Sequence, residues 1–351
     1  MSAILQTTIG CDLGDKKSEL CLLKPAGEIE RLKVKTTPDA FRAFFSEVEL
    51  AHVVIEVGMH SRWVSALLVE LGHRVTVANP RRLRLISQSE SKTDRNDAEL
   101  LARLGRADTE LLAPIKHRGG QAQADLAVAK ARDVLVATRT RLVNHARGTV
   151  KSMGHRLPTC AAEAFHRLAG AAVPPELKPA LDPVFATLAR LQEQIGECDR
   201  ELKKVSRRYP DVEVVGAVDG VGLLTALVFL LTLEDKERFR KSRAVGAFVG
   251  LRPRKDQSGD SDKQLRITKT GDTFLRRLLV CSANYILGPF GKDSDLRRWG
   301  LTLAERGGKN ARKRAKVAVA RKLVVLMHRL WVTGEEYEPL RNTKLRQATA
   351  A

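Results

Sequence analysis

Residues 4–13 have the sequence ILQTTIGCDL, an apolar run that ends in a carboxylate. The run has the length and composition of a buried strand, with Asp12 at its end. The turn at residues 25–27 (PAG) separates two further predicted strands, residues 18–24 (SELCLLK) and 28–35. The opening of the chain is therefore predicted to be an antiparallel meander.

Helices and strands alternate after this meander. We predict a helix at residues 37–50, a strand at 52–57 (HVVIEV), a helix at 61–71, a strand at 73–77, a helix that begins at Pro80 and a helix at 94–106 (DRNDAELLARLGR). Three strands followed by alternating helices and strands are the order of an α/β domain with a ribonuclease-H-like fold.

The rest of the chain is predicted to be mainly helical. A linker is predicted at residues 111–122, which contain Pro114 and two glycines. Heptad spacing follows, which is typical of a coiled coil within or between subunits and equally of a core-facing helix: Val184, Leu188, Leu191, Ile195, Cys198, Leu202 and Val205. We therefore predict an α/β domain at 1–110, a helical coiled-coil region at 111–212 and a mainly α-helical domain at 213–351.

The C-terminal part contains two segments of interest. The first, at 213–233 (EVVGAVDGVGLLTALVFLLTL), resembles half of a helix-hairpin-helix that offers backbone N–H groups to phosphate, or is a Gly-rich turn between packed helices. Its apolar half is too short to span a bilayer and predicts a buried helix. The second, at 251–270, is predicted to be a polar, basic loop, and helices are predicted after it at 271–287 and 309–332.

Composition points to a polyanionic partner. The 351-residue chain has a formal net charge of +20, and the excess of Lys and Arg lies mostly in the C-terminal third. Nucleic acid is the commonest partner of such a chain. The five cysteines form no C-x-x-C pair, which disfavours a zinc site or a disulfide scaffold. With no secretory signal predicted at the start, we expect a protein of the bacterial cytoplasm that acts at the nucleoid, with no membrane partner.

Four carboxylates occupy positions that suit a metal site. Asp12 lies at the end of one apolar strand and Glu56 near the end of another, and Asp94 and Asp97 share one face at the start of a helix. Carboxylate oxygens are ligands for Mg²⁺ or Mn²⁺, and such ions stabilise the attacking and leaving oxygens of phosphodiester chemistry. Three of the four residues also have a structural interpretation: Asp94 as a helix cap, Asp97 as a partner of Arg95 or Arg103, and Asp12 as part of a turn. A structural interpretation is weakest for Glu56, because it interrupts a hydrophobic strand. Asp15 is a weaker rival for Asp12.

Two long motifs resemble a known family. Residues 91–104 (SKTDRNDAELLARL) and 249–279 (VGLRPRKDQSGDSDKQLRITKTGDTFLRRLL) resemble the insertion-sequence-110 family of DEDD transposases, which are bridge-RNA-guided recombinases. The resemblance covers nearly the whole chain in the right order. It implies a RuvC-type N-terminal domain, a coiled-coil middle and a C-terminal transposase domain, with Asp12, Glu56, Asp94 and Asp97 as the DEDD tetrad.

The same resemblance implies the chemistry and the partners. Ser258 would attack the DNA backbone and form a covalent phosphoserine link, although on its own it could equally be a turn residue. Donor DNA, target DNA and a structured noncoding bridge RNA would bind to a homodimer or homotetramer. Several basic residues are candidates to contact nucleic acid rather than to be solvated surface: Arg252, Arg254, Lys255, Arg266, Lys269, Lys309, Arg312, Lys313 and Arg314.

Three other functions remain open from the sequence. A metal-dependent junction nuclease would use the carboxylates without Ser258. An actin-like or sugar-kinase-like ATPase would use I-G-C-D-L-G as a phosphate loop, although no second Gly-rich phosphate motif is present. A non-catalytic nucleic-acid-binding protein would use only the positive charge.

Overall fold

The computed structural model describes residues 6–79, 93–258, 261–308 and 310–343. Two compact units divide the chain, Met1–His117 and Arg118–Ala351. The predicted helix that begins at Pro80 lies outside the described residues. The predicted boundary at residue 212, within the second unit, stays a prediction.

The first unit contains a five-stranded mixed sheet. Its strands are β1 Thr8–Asp12, β2 Lys17–Leu23, β3 Ile29–Lys35, β4 His52–Glu56 and β5 Arg74–Ala78. The spatial order is β3-β2-β1-β4-β5, with β1 antiparallel to β2 and parallel to β4. The predicted antiparallel meander is therefore confirmed, and β1 lies at the centre of the sheet.

Helices cover both faces of this sheet. They are α1 Pro38–Glu47, α2 Ser61–Glu70 and α3 Asp94–Ala107. Alternate residues of β4 separate the two faces, because Val53 and Ile55 pack with α1 and α2, whereas Val54 packs with Leu101 of α3. The mixed α/β character predicted for this part of the chain is confirmed.

The second unit is mainly helical, as predicted. Its α-helices are α4 Gly120–Ser152, α5 Phe165–Leu168, α6 Lys178–Ser206, α7 Asp211–Gly216, α8 Leu223–Leu233, α9 Arg243–Phe248, α10 Thr273–Ile286, α11 Asp295–Glu305 and α12 Ala311–Thr333. Short 3-10 helices occur in both units, at Thr109–Leu112, Gly170–Ala172, Pro175–Leu177 and Lys236–Arg238. The apolar segment α8 is buried from Thr225 to Leu233, as the sequence predicted. Within the described residues, no helix is both long and apolar enough to cross a membrane.

The helices α4 and α6 run antiparallel to each other. Arg139 Nη1 donates to Gln192 Oε1 at 2.7 Å, and Arg132 forms an ion pair with Asp199. As the residue number rises along α4, that of its partner falls along α6. The predicted heptad seam of α6 accordingly packs on α4 of the same chain, with Leu188 in the apolar cluster of Val143. Whether this pairing is a true coiled coil stays a prediction.

The segment 251–270 contradicts its prediction as a loop. It forms a two-stranded antiparallel sheet of β6 Pro253–Ser258 and β7 Ser261–Ile267. Its polar composition predicted a loop. Strands pair through backbone groups, however, so a hairpin with two solvent-facing sides needs no apolar side chains. We call this hairpin, residues 253–267, the serine arm.

Candidate active site

Asp12 and Glu56 lie at the same edge of the sheet of the first unit. Each is the last residue of its strand, and β1 and β4 are parallel neighbours in which Cys11 pairs with Ile55. The register places the two strand ends side by side, so two residues that are 44 positions apart in sequence lie at the same edge of the sheet. Both side chains are half-buried.

The other two carboxylates belong to the first turn of α3. Asp97 is buried, with 8% of its surface exposed, and Asp94 is exposed. The cap of this helix is Thr93, whose side chain accepts a hydrogen bond from the Asn96 amide at 3.3 Å. The alternative that Asp94 serves as the N-cap is therefore wrong. Acidic groups in the first turn still interact favourably with the helix dipole.

A close helix–strand approach places Asp97 over β1. A Cβ added to Gly10 would lie 2.5 Å from the backbone nitrogen of Ala102 and would also overlap the carbonyl oxygen of Ala98. Only glycine permits this approach of α3 to the centre of the sheet. Asp97 directly precedes Ala98 in α3, the helix whose backbone contacts the strand that ends in Asp12.

Cys11, next to Asp12, does not add a thiolate to this edge. Burial, and then the negative charge of Asp12, raise the pKa of the Cys11 thiol far above its usual range. The thiol is therefore protonated at neutral pH, and the donors here are carboxylate oxygens, which suit a hard divalent cation. In the part of the chain that the structure describes, no group of three or more His, Cys, Asp or Glu side chains is arranged to hold a metal ion.

The loop after β4 and the first turn of α2 add two residues, His60 and Trp63, that the sequence patterns did not indicate. Trp63 Nε1 donates to His60 Nδ1 at 3.1 Å, which leaves the proton of a neutral imidazole on Nε2. That nitrogen faces the carboxylate of Asp15 at 3.7 Å. Asp15 itself is exposed, beyond the end of β1, whereas Asp12 ends the strand. The only sequence signal for His60 and Trp63 was their position soon after Glu56.

Ser258 is the last residue of β6 and pairs with Ser261 across the serine arm. It belongs to the second unit, and the four carboxylates belong to the first. The side chains of Ser258 and Lys255 lie outside the described part of the structure, as does all of Lys309. The remaining basic candidates are exposed: Arg252, Arg254, Arg266 and Lys269 in and beside the serine arm, and Arg312, Lys313 and Arg314 in the first turn of α12.

Comparison with known proteins is consistent with these motifs. A DEDD-type family profile described as "Transposase" matches residues 9–154, which include all four carboxylates. A second profile, described as "Transposase IS116/IS110/IS902 family", matches residues 212–289, which include Ser258.

Curated relatives extend the similarity over most of the chain. The "Transposase for insertion sequence element IS1111A" of Coxiella burnetii is 30% identical over 94% of this chain and 90% of its own length. A "Probable family 20 transposase" of Pseudomonas aeruginosa is 27% identical over 85% and 89% of the two chains. The "Pilin gene-inverting protein" of Moraxella lacunata is 22% identical over 79% of each chain. On this evidence the chain is a transposase that belongs to the insertion-sequence-110 family.

Proposed function

We propose that this transposase cuts and rejoins DNA strands to excise and insert its own insertion sequence. The observation that carries the proposal is the meeting of Asp12 and Glu56 at one edge of the sheet, with Asp97 on the helix that crosses β1. We assign the first unit to the ribonuclease-H-like, RuvC-type fold. The central β1, antiparallel to β2 and parallel to β4, supports this assignment.

Asp12, Glu56, Asp94 and Asp97 would hold Mg²⁺ or Mn²⁺. Mg²⁺ commonly takes only one or two protein carboxylates and completes its shell with water and substrate phosphate oxygens. Two strand-end carboxylates at one edge fit that need, and the DNA phosphate would supply further oxygens. Bound there, the ion neutralises charge on the attacking and leaving oxygens of the phosphodiester.

Ser258 would be the nucleophile. Its Oγ would form a bond to phosphorus as one bridging P–O bond breaks, and the departing oxygen would take up a proton as the strand end leaves. Rejoining reverses these steps with a new strand end and frees the serine. The exposed Arg252, Arg254 and Arg266 would stabilise the charge on the phosphate.

Nucleic acid would be the partner throughout. A structured noncoding bridge RNA would pair with donor and target DNA, and the working assembly would be a homodimer or homotetramer. The net charge of +20 and the exposed cations of the serine arm and α12 support polyanion binding. A relative named for inverting a pilin gene supports DNA rearrangement as the activity of this chain.

The test uses purified protein, Mg²⁺, RNA transcribed from the flanking noncoding region, and labelled donor and target DNA. We expect wild type to leave DNA attached to protein after denaturation, Ser258→Ala to leave none, and Asp12→Asn to leave none. Ser261→Ala replaces the side chain of the residue that pairs with Ser258 across the arm. It is the matched control and should retain the adduct.

The outcomes separate the candidate functions. Cutting by both wild type and Ser258→Ala with no adduct would identify a metal-dependent junction nuclease instead. Normal recombination by Asp12→Asn would exclude the carboxylate site from catalysis.

A further inference from the structure

The base of the serine arm is joined to its unit through close backbone contacts. The arm is entered from α9 through residues 249–252 and left towards α10 through residues 268–272. The Thr268 amide donates to the carbonyl oxygen of Arg252 at 2.9 Å, and the Lys269 amide donates to that of Gly250 at 3.1 Å. These two bonds continue the pairing of the arm below its last ladder residues.

Two glycines permit the segments to approach each other. A Cβ on Gly250, which has a φ of 76°, would lie 2.6 Å from the Thr270 nitrogen. A Cβ on Gly271, which has a φ of 85°, would lie 3.0 Å from the Phe248 carbonyl carbon. The entering and leaving segments are thus in backbone contact, and any side chain there would separate them.

One guanidinium group spans both segments. Arg276 Nη1 donates to the carbonyl oxygen of Val249 at 2.9 Å and to that of Thr270 at 3.2 Å. Arg276 Nη2 donates to Thr273 Oγ1 at 3.0 Å, which fixes the plane of the group on α10. Charge-assisted hydrogen bonds of this kind are about twice as strong as neutral ones.

We propose that Arg276 is a positioning residue for Ser258. This inference rests on the proposed function, in which Ser258 attacks the DNA backbone. Because Arg276 binds one carbonyl on each side of the arm, it fixes the direction in which the arm leaves the helical unit. The Nη2 bond to Thr273 fixes the plane of the guanidinium and so the directions in which Nη1 donates to both carbonyls, whereas the ammonium of lysine has no second nitrogen to fix its donors.

Positioning of this kind should appear in the rate of the covalent step. A displacement of about 1 Å at a reacting group costs on the order of 100-fold in rate, even when its cause lies far from the chemistry. Arg276 is remote from Ser258 along the arm, so its loss should slow attack without removing the nucleophile.

The experiment compares wild type with Arg276→Lys, Arg276→Ala and Arg277→Ala. Arg277 is the matched control, because it lies next in α10 but pairs with Asp133 and stacks on Phe274. Two quantities are measured on the full chain: amide hydrogen exchange in residues 249–271, and the rate of serine–DNA adduct formation with Mg²⁺, RNA and DNA present. Thermal unfolding confirms that each variant is folded.

We expect both Arg276 variants to exchange the Thr268 and Lys269 amides at least about tenfold faster, with no change elsewhere in the unit. Adduct formation should fall about 100-fold, and added guanidinium ion at low millimolar concentration should restore part of it in Arg276→Ala. Arg277→Ala should match wild type in both measurements. If Arg276→Ala does not fold, Arg276→Lys carries the test alone.

Failure of this inference differs from failure of the proposed function. Adduct formation by both Arg276 variants within twofold of wild type, with none by Ser258→Ala, would overturn the role of Arg276 and leave the proposed function intact. An adduct formed by Ser258→Ala would instead overturn the proposed function, and with it any catalytic role for Arg276. Faster exchange in the Arg276 variants would then show only that Arg276 holds the arm.

Discussion

Gly10 is the residue whose missing side chain does most to arrange the carboxylates. In the sequence, Gly10 is one residue of an apolar strand and of the I-G-C-D-L-G stretch that could form a phosphate loop. In the structure, α3 lies directly on its backbone, and this contact carries Asp97 over β1. A sequence shows that a strand residue is glycine, but only the packed neighbour shows why.

Replacing Gly10 with alanine should therefore destabilise the first unit. The added Cβ meets backbone atoms of α3, which cannot rotate away, so we expect a loss of about 1–3 kcal/mol in the free energy of unfolding. The displaced helix should also lower DNA cutting. Urea unfolding measures the first effect.

Gly58→Ala is the control for this change. Nothing lies within 4 Å of a Cβ at Gly58, so its stability should stay within about 0.5 kcal/mol of wild type. Equal stability of the two variants would contradict the proposed role of Gly10.

Among the helices, α4 carries several cations that the sequence does not distinguish. The structure shows which of them are paired within the unit and which are exposed. Arg132 pairs with Asp199, and Arg139 pairs with Glu163 at 2.9 Å. Arg147 donates to the Pro158 carbonyl oxygen at 3.0 Å and lies over the Phe165 ring. These three arginines hold α4 to its own unit and are poorly placed to bind a polyanion.

Two other cations of α4, Arg141 and Lys151, are exposed. We predict that Arg141→Ala combined with Lys151→Ala weakens RNA or DNA binding, because each cation lost removes about one released counterion. The slope of log K against log salt should become less negative by about 1.4 to 1.8. Fluorescence anisotropy across a salt series measures the slope.

Arg139→Ala provides the contrasting variant. It removes a buried side chain that bonds to Gln192 and Glu163, so it should lower the unfolding midpoint and leave the salt slope unchanged. A salt slope that changed in Arg139→Ala but not in the double variant would contradict the assignment.

Over the whole molecule, one buried histidine in each unit contributes to the response of stability to acid. In the first unit, burial and then the charge of Arg74 lower the pKa of His52 to about 4. In the second unit, burial lowers the pKa of His328, partly opposed by its hydrogen bond to the Lys236 carbonyl oxygen. Each group binds a proton more readily when unfolded, with an ordinary pKa near 6.5.

Stability should consequently fall as the pH drops from about 6.5 towards 4, because the unfolded chain takes up the proton first. We predict that His52→Gln flattens this dependence in the first unit. Urea midpoints at pH 7 and pH 5 measure the difference. A His52→Gln protein with the wild-type pH dependence would contradict the prediction.

The sequence by itself determined the order of the described strands and helices in the first unit, the buried α8 and the family, because periodicity, chain breaks and long motifs are local properties. It also predicted Asp12 at the end of one strand and Glu56 near the end of another. The sequence did not predict the strands of the serine arm, because paired polar strands show no alternation of apolar and polar residues. Only the tertiary structure decided which strand ends are neighbours, that Thr93 and not Asp94 caps α3, and that Arg276 bridges the base of the arm. Those facts depend on contacts between atoms that only the folded chain brings to hydrogen-bonding distance. Such contacts produce no periodic pattern in a single sequence.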